Sequence, residues 1–337
     1  HEGAPLAPLT TLGVGGPARW LLEAGDELAL REALAFAEAR GVPLYVLGGG
    51  SNLLIADRGL DAVVLRPKLL GLSVARGGDG DRVHVRAAAG VPWDGLVAAA
   101  VAEGWAGIEC LAGIPGDVGA TPIQNVGAYG QEVSETIVEV RAIDRATGAS
   151  VKLDRERCRF GYRDSAFKRE DRGRYLITEV TFALTPGGAA AVRYPELRRA
   201  LGDPAAAPPL AEVREAVLRL RRSKSMVLDP ADENGRSAGS FFMNPTLEEA
   251  AQPNGAKIVS LAPGIIDTPM ADAAIVRSTI DLCHQLGIQV VAEGVEDASV
   301  QALLREYGCD LGQGYGICRP LARQALDDWI AAQVPAG

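Results

Sequence analysis

The chain has 337 residues, of which 47% are hydrophobic and 23% charged, and its formal net charge is −9. That length accommodates two or three domains with a real core, while the acidic balance argues against a general binder of nucleic acid or anionic membrane surfaces, which needs a basic face. Five cysteines without a C-x-x-C pair and three histidines point away from a disulfide framework and from a metal site, so no metal is expected and the cysteines read as reduced core residues.

No apolar run reaches the ~18 residues of a membrane span. The N-terminus lacks the basic-then-apolar pattern of a signal peptide, so a cytoplasmic setting is expected. The first residue is His1 rather than Met, which reads as a trimmed start.

In chain order, Asp26 to Arg40 has the spacing of an amphipathic helix, with Asp26 placed to cap it and Gly41 to end it. Pro43 to Leu47 is a short apolar run ending in a glycine cluster. Ala62–Leu65 and Arg82–Ala88 are predicted strands, the second by alternation of Val83, Val85 and Ala87. Asp94–Glu103 is a second capped helix closed by Gly104. Thr136–Ile143 and Arg174–Leu184 alternate as strands. Residues 202–210, with Pro204, Pro208 and Pro209 among alanines, read as a linker. Glu212–Arg222 is a helix whose Arg219, Arg221 and Arg222 form a solvated face.

Strands and helices mixed without strict β-α-β order favour an α+β fold. After Pro245 the grammar changes. Lys257–Ala262 and Ile288–Ala292 read as strands, Ala271–Leu286 and Asp297–Glu306 as helices.

Two glycine-rich stretches carry the chemistry. Gly48, Gly49, Gly50, Ser51 and Asn52 follow an apolar strand, and such a turn brings backbone N–H groups to one point, as a diphosphate requires. The segment Gly113–Gly130 combines glycines and amides with apolar Ile114, Ile123 and Val126. A backbone like this can lie against a flat ring and offer N–H and C=O groups to its edge.

These stretches resemble the UDP-N-acetylenolpyruvoylglucosamine reductases, as do, in the same order, Thr11–Ala18, Cys158–Lys168 and Gly239–Pro245. The resemblance covers about residues 4–245. It implies reduction of the enolpyruvyl ether of a UDP-sugar to the lactyl ether, giving UDP-N-acetylmuramate for peptidoglycan, with FAD and NADPH as cofactors. It further implies a two-lobed FAD-binding domain of the vanillyl-alcohol-oxidase/PCMH type over 1–201, a partial substrate-binding domain over 202–255, and a chimeric βα tail over 256–337.

By the same resemblance Arg163 stabilises the charge building on the substrate carboxylate, and Ser240 donates the proton. The flavin would be held by Gly48, Gly49, Gly50, Ser51, Asn52, Gly113, Pro115, Gly116, Gly119, Ala120, Gln124, Asn125, Gly127 and Ala128. Tyr194, Lys224 and Asn244 would bind the UDP-sugar. No protein partner is indicated.

Past Pro245 the resemblance stops, and with it the family's late glutamate that works beside the arginine. Residues 256–270 resemble a short-chain dehydrogenase fragment without its catalytic residues. Residues 271–330 resemble the end of an EAL-type cyclic-di-GMP phosphodiesterase, with Glu293 and Gln313 at family positions but the other metal ligands missing. Each later piece is shorter than a folding unit, which reads as a rearranged or composed chain. Impaired turnover, a flavin-binding protein without turnover, and a residual cyclic-dinucleotide-binding tail are the expectations that follow.

Overall fold

The computed structural model describes residues 1–76, 81–229, 231–232, 235–236, 257–261, 277, 280–281, 284, 288–293 and 298–313. The chain forms two compact units, His1–Met243 and Asn244–Gly337.

The first unit opens with a small sheet of order β1-β2-β4-β3, formed by β1 (Glu2–Pro5), β2 (Pro17–Ala24), β3 (Leu44–Val46) and β4 (Leu60–Pro67). β1 runs antiparallel to β2, whereas β4 lies parallel to both β2 and β3. A parallel β2–β3 arrangement needs a crossover, and α1 (Glu27–Ala39) supplies it. The Asp26 carboxylate accepts from the Ala29 N–H at 2.8 Å, and Gly41 ends the helix with φ 62°. Leu30, Ala33 and Ala37 fall on one face and are buried. Burial of a side chain the size of Leu30 contributes roughly 2 kcal/mol.

The larger sheet is antiparallel, of order β11-β10-β12-β6-β5, from β5 (Leu72–Arg76), β6 (Val83–Ala88), β10 (Ile137–Asp144), β11 (Ser150–Asp154) and β12 (Tyr175–Pro186). β7 (Trp105–Ala106) adds to the end of β12, and β8 (Gly127–Ala128) and β9 (Gln131–Glu132) form a separate hairpin. The helices are α2 (Trp93–Ala102), α3 (Arg155–Cys158), α4 (Pro195–Ala200) and α5 (Leu210–Arg222). This mixed, two-lobed α+β architecture agrees with the fold class expected from the sequence.

Three expectations need correction. β12 reads as alternating, yet Val180, Phe182 and Leu184 on one face and Thr181 and Ala183 on the other are all buried. The strand is central, between β10 and β6, and the 3-10 turn Val118–Ala120 packs against it. Asp94 does not cap α2. The cap position is Pro92, and the Asp94 carboxylate accepts from the Gly113 N–H at 2.7 Å and from Arg214 Nη2 at 2.9 Å. Arg221 is not on a solvated face. It lies one helical turn beyond the buried Val217 and Leu218, so α5 carries it inward, and burial pulls its guanidinium below the ordinary arginine value. α4, with Tyr194 at its cap position, had no sequence signal beyond Pro195.

Cys110 and Cys158 are buried with free thiols. Burial raises both, Cys158 to about 12, so they stay protonated and inert. Cys283 and Cys318 lie outside the described residues.

In the second unit β13 (Lys257–Leu261), β14 (Ile288–Glu293) and β15 (Leu311–Gln313) form a parallel sheet in that order, with α6 (Ala298–Glu306) between the last two strands. Among the described residues no helix is long and apolar enough to cross a membrane.

Candidate active site

Both glycine-rich stretches converge on one cleft of about 390 Å³ in the first unit. β3 ends at Val46 and delivers Gly48, Gly49, Gly50, Ser51 and Asn52 to one wall. Pro115, Gly116, Gly119, Ala120 and Gln124 form the opposite wall. The two loops touch: a Cβ on Gly49 would stand 2.6 Å from the Gly116 Cα, a distance no real Cβ tolerates. Ser51 Oγ donates to the Pro115 carbonyl at 3.4 Å. Within the described residues the N–H groups of Gly48, Gly49 and Gly50 donate to no protein acceptor, the arrangement that accepts an anion.

Ile114, Ile123, Val126, Leu176 and Ile177 supply apolar surface along the same cleft. A backbone-rich anion turn beside an apolar wall fits a dinucleotide with a flat ring. Sequence reasoning missed Trp93, Asp117, Lys168 and Tyr175, which also line the cleft. Asp117 is the unexpected member, a carboxyl group in a cleft shaped for an anion. Burial raises it, against the opposing charges of Lys68 and Arg66.

Gly113, Asn125, Gly127 and Ala128 do not line this cleft. Gly113 is tied by its N–H to Asp94. Asn125 is buried, with its side chain bonded to Glu132 Oε2, the Gly161 carbonyl and the Ser134 N–H. Gly127 and Ala128 form β8, and Gly127 borders Arg163 instead.

Arg163 sits in a turn closed by the Gly161–Asp164 bridge, with a left-handed backbone (φ 51°). A side chain other than glycine in that region is a strained choice that the surroundings must hold. Lys168 Nζ, itself in the cleft wall, donates to the Arg163 carbonyl at 2.9 Å. The guanidinium donates to the carbonyls of Gly127 and Asn125 and lies 3.8 Å from Glu132 Oε1.

The β8–β9 hairpin links Arg163 to the expected substrate residues. At its tip the Gly130 carbonyl accepts from Arg193, and the Tyr129 ring meets Tyr194 edge-on with centroids 5.6 Å apart. Lys224 Nζ pairs with Glu196 of α4 at 2.7 Å, which brings Lys224 to the helix that Tyr194 opens. Ser240 and Asn244 lie outside the described residues. In the tail, Glu293 and Gln313 are register partners on β14 and β15.

A two-lobed α+β unit with a glycine-walled dinucleotide cleft defines the class of flavin-binding folds, and residues 18–154 match the family model described as FAD binding domain. The UDP-N-acetylenolpyruvoylglucosamine reductase of Streptomyces avermitilis is 52% identical over 250 residues, covering 73% of this chain and 67% of that one. The enzyme of the same name from Thermobifida fusca is 50% identical over 248 residues, covering 73% and 69%. The chain belongs to the UDP-N-acetylenolpyruvoylglucosamine reductase family. The crystal structure of the Thermus caldophilus enzyme is similar at 28% identity and a TM-score of 0.49, covering 71% of this chain and 73% of that one. Residues 248–320 match the model described as EAL domain.

Proposed function

We propose that the chain is an FAD-dependent, NADPH-using reductase that converts UDP-N-acetylenolpyruvoylglucosamine to UDP-N-acetylmuramate in the cytoplasm. The observation that carries this reading is the link through Lys168, which joins the turn of Arg163 to the wall of the dinucleotide cleft. FAD, once bound and reduced by NADPH, would supply the hydride for the enolpyruvyl double bond. Gly48, Gly49, Gly50, Ser51 and Asn52 would hold its diphosphate, and Pro115, Gly116, Gly119, Ala120 and Gln124 would hold its ring.

Arg163 pairs with the substrate carboxylate, which gains negative charge as the hydride arrives. A guanidinium suits this task because it stays charged and offers paired donors. Ser240 passes its proton to the neighbouring carbon, which completes the saturated lactyl ether. Tyr194, Lys224 and Asn244 hold the UDP-sugar. In this reading residues 1–201 bind FAD, 202–255 form part of the substrate site, and 256–337 are the tail.

A second reading is favoured by the EAL-domain match at residues 248–320, which stands where the family continues its substrate domain. On that reading the chain binds flavin without turnover.

The visible spectrum of the purified protein, followed by NADPH addition with and without the enolpyruvyl substrate, separates the two. The reductase reading expects a yellow protein whose NADPH consumption rises with substrate. A colourless protein overturns both readings, and a yellow one indifferent to substrate leaves only the second. Ser240→Ala is expected to keep the flavin colour and abolish substrate reduction. Loss of flavin from that variant would contradict the role given to Ser240.

A further inference from the structure

Glu132 ends β9, and each of its two carboxylate oxygens faces a donor. Oε1 lies 3.8 Å from Arg163 Nη1, and Oε2 accepts a 2.7 Å hydrogen bond from Asn125 Nδ2. Asn125 is 1% exposed. It also donates to the Gly161 carbonyl at 2.8 Å and accepts from the Ser134 N–H at 3.1 Å. Gly161 closes the turn that carries Arg163, and Ser134 follows β9, so one buried amide ties that turn to the hairpin. Ser165 Oγ adds a second tie, to the Ile123 carbonyl.

Gly127 completes the arrangement. A Cβ there would stand 2.5 Å from Arg163 Nη1 and 2.9 Å from Glu132 Cγ. The Gln131 carbonyl oxygen of the facing strand would also lie 2.9 Å from that Cβ, so glycine on β8 lets β9 and the Arg163 guanidinium approach together.

The Arg163 side chain is 31% exposed; the carbonyls of Gly127 and Asn125 accept from it, but neutral acceptors hold a guanidinium less firmly than a charged one does. An anion fixed by its other oxygen restricts it further. We propose that Glu132, locked by Asn125, is the positioning residue of Arg163: it holds the guanidinium in the orientation that meets the substrate carboxylate. The inference rests on the reading of Arg163 as the charge-stabilising residue. A carboxylate is required because both neighbours, Arg163 Nη1 and Asn125 Nδ2, are donors. A glutamine would satisfy one and turn its own NH₂ towards the other.

The test uses the full chain labelled with ¹⁵N-arginine. Wild type is expected to give separate, slowly exchanging Nη proton signals for Arg163, assigned by their loss in Arg163→Lys. Glu132→Gln is expected to merge those signals and speed their exchange about 10-fold or more. Glu132→Asp, which keeps the charge one methylene further back, should fall between the two, and it carries the test if the Gln variant does not fold. Flavin content per chain should be equal in all three. In turnover, Glu132→Gln should lower kcat about 10-fold or more with KM within about two-fold, because a small misplacement of a charge-stabilising group slows the chemical step.

Wild-type exchange in Glu132→Gln overturns the proposal. So does a loss of flavin or of thermal stability in that variant without any change in Arg163 exchange, which is the signature of a merely structural residue. If wild type shows no response to substrate, the reductase reading fails. The exchange comparison still decides whether Glu132 holds Arg163.

Discussion

Asp117 shows how a single residue can work against its surroundings. The cleft is built to receive an anion, yet it carries a carboxyl group that burial raises above the usual range. A raised carboxyl means the folded chain holds the proton more tightly than the unfolded one. Stability therefore falls as pH rises from the ordinary carboxylate value to the raised one, and the loss persists above it. Asp117→Asn should remove that loss. Thermal midpoints measured from about pH 4 to pH 7 are expected to show the variant gaining on wild type as pH rises. It should also release FAD less readily wherever the wild-type carboxyl is ionised, because the ionised form places a negative charge beside Gly48. A wild-type pH profile in the variant would mean that Asp117 is not titrating in the cleft.

At the scale of elements, α2 and α5 are joined to the second glycine-rich stretch by Asp94. Its two oxygens accept from the Gly113 N–H and from Arg214, whose Nε is buried without a partner. Truncation leaves a buried N–H unpaired and a largely buried guanidinium with only the more distant Glu215 carboxylate, at 3.6 Å. Asp94→Ala should cost about 1–3 kcal/mol, read as a lower urea midpoint. Flavin affinity should fall with it, because Gly113 leads into the Pro115–Gly116 wall. The β8–β9 hairpin is a different kind of element. It is too short to be stable alone and owes its place to Asn125, Arg163 and Arg193, so it transmits packing rather than supplying it.

For the whole first unit, acid sensitivity has a definite sign. Asp144 ends β10, and its oxygens accept from the Ala146 N–H in the following turn and from Arg174 Nε at the approach to β12. The hydrogen bond from Arg174 holds its carboxyl below the usual carboxylate range. A lowered carboxyl contributes stability that is present above the unfolded value and is lost as pH falls through the folded one. Asp144→Asn should destabilise the protein at neutral pH, and its difference from wild type should close on acidification. A pH-independent difference between the two unfolding curves would contradict this. The second unit builds its own parallel sheet from residues outside the family resemblance.

The sequence by itself determined whatever depends on near neighbours along the chain. Asp26 and Gly41 bound α1 because capping and a left-handed end act within one helical turn. Alternation placed β6, and the glycine clusters marked where the backbone must turn sharply or lie close to another segment. The motif around Arg163 could be read as a motif. The tertiary structure alone decided what those segments meet. Gly49 reaches Gly116, Asp94 leaves its cap to hold Gly113 and Arg214, and α5 turns Arg221 inward. Glu132 carries no local signal at all, and its place beside Arg163 exists only because Asn125 draws two distant turns together. Propensity and periodicity act over a few residues, whereas close approach is set by strand order and by which polar groups must find partners when buried.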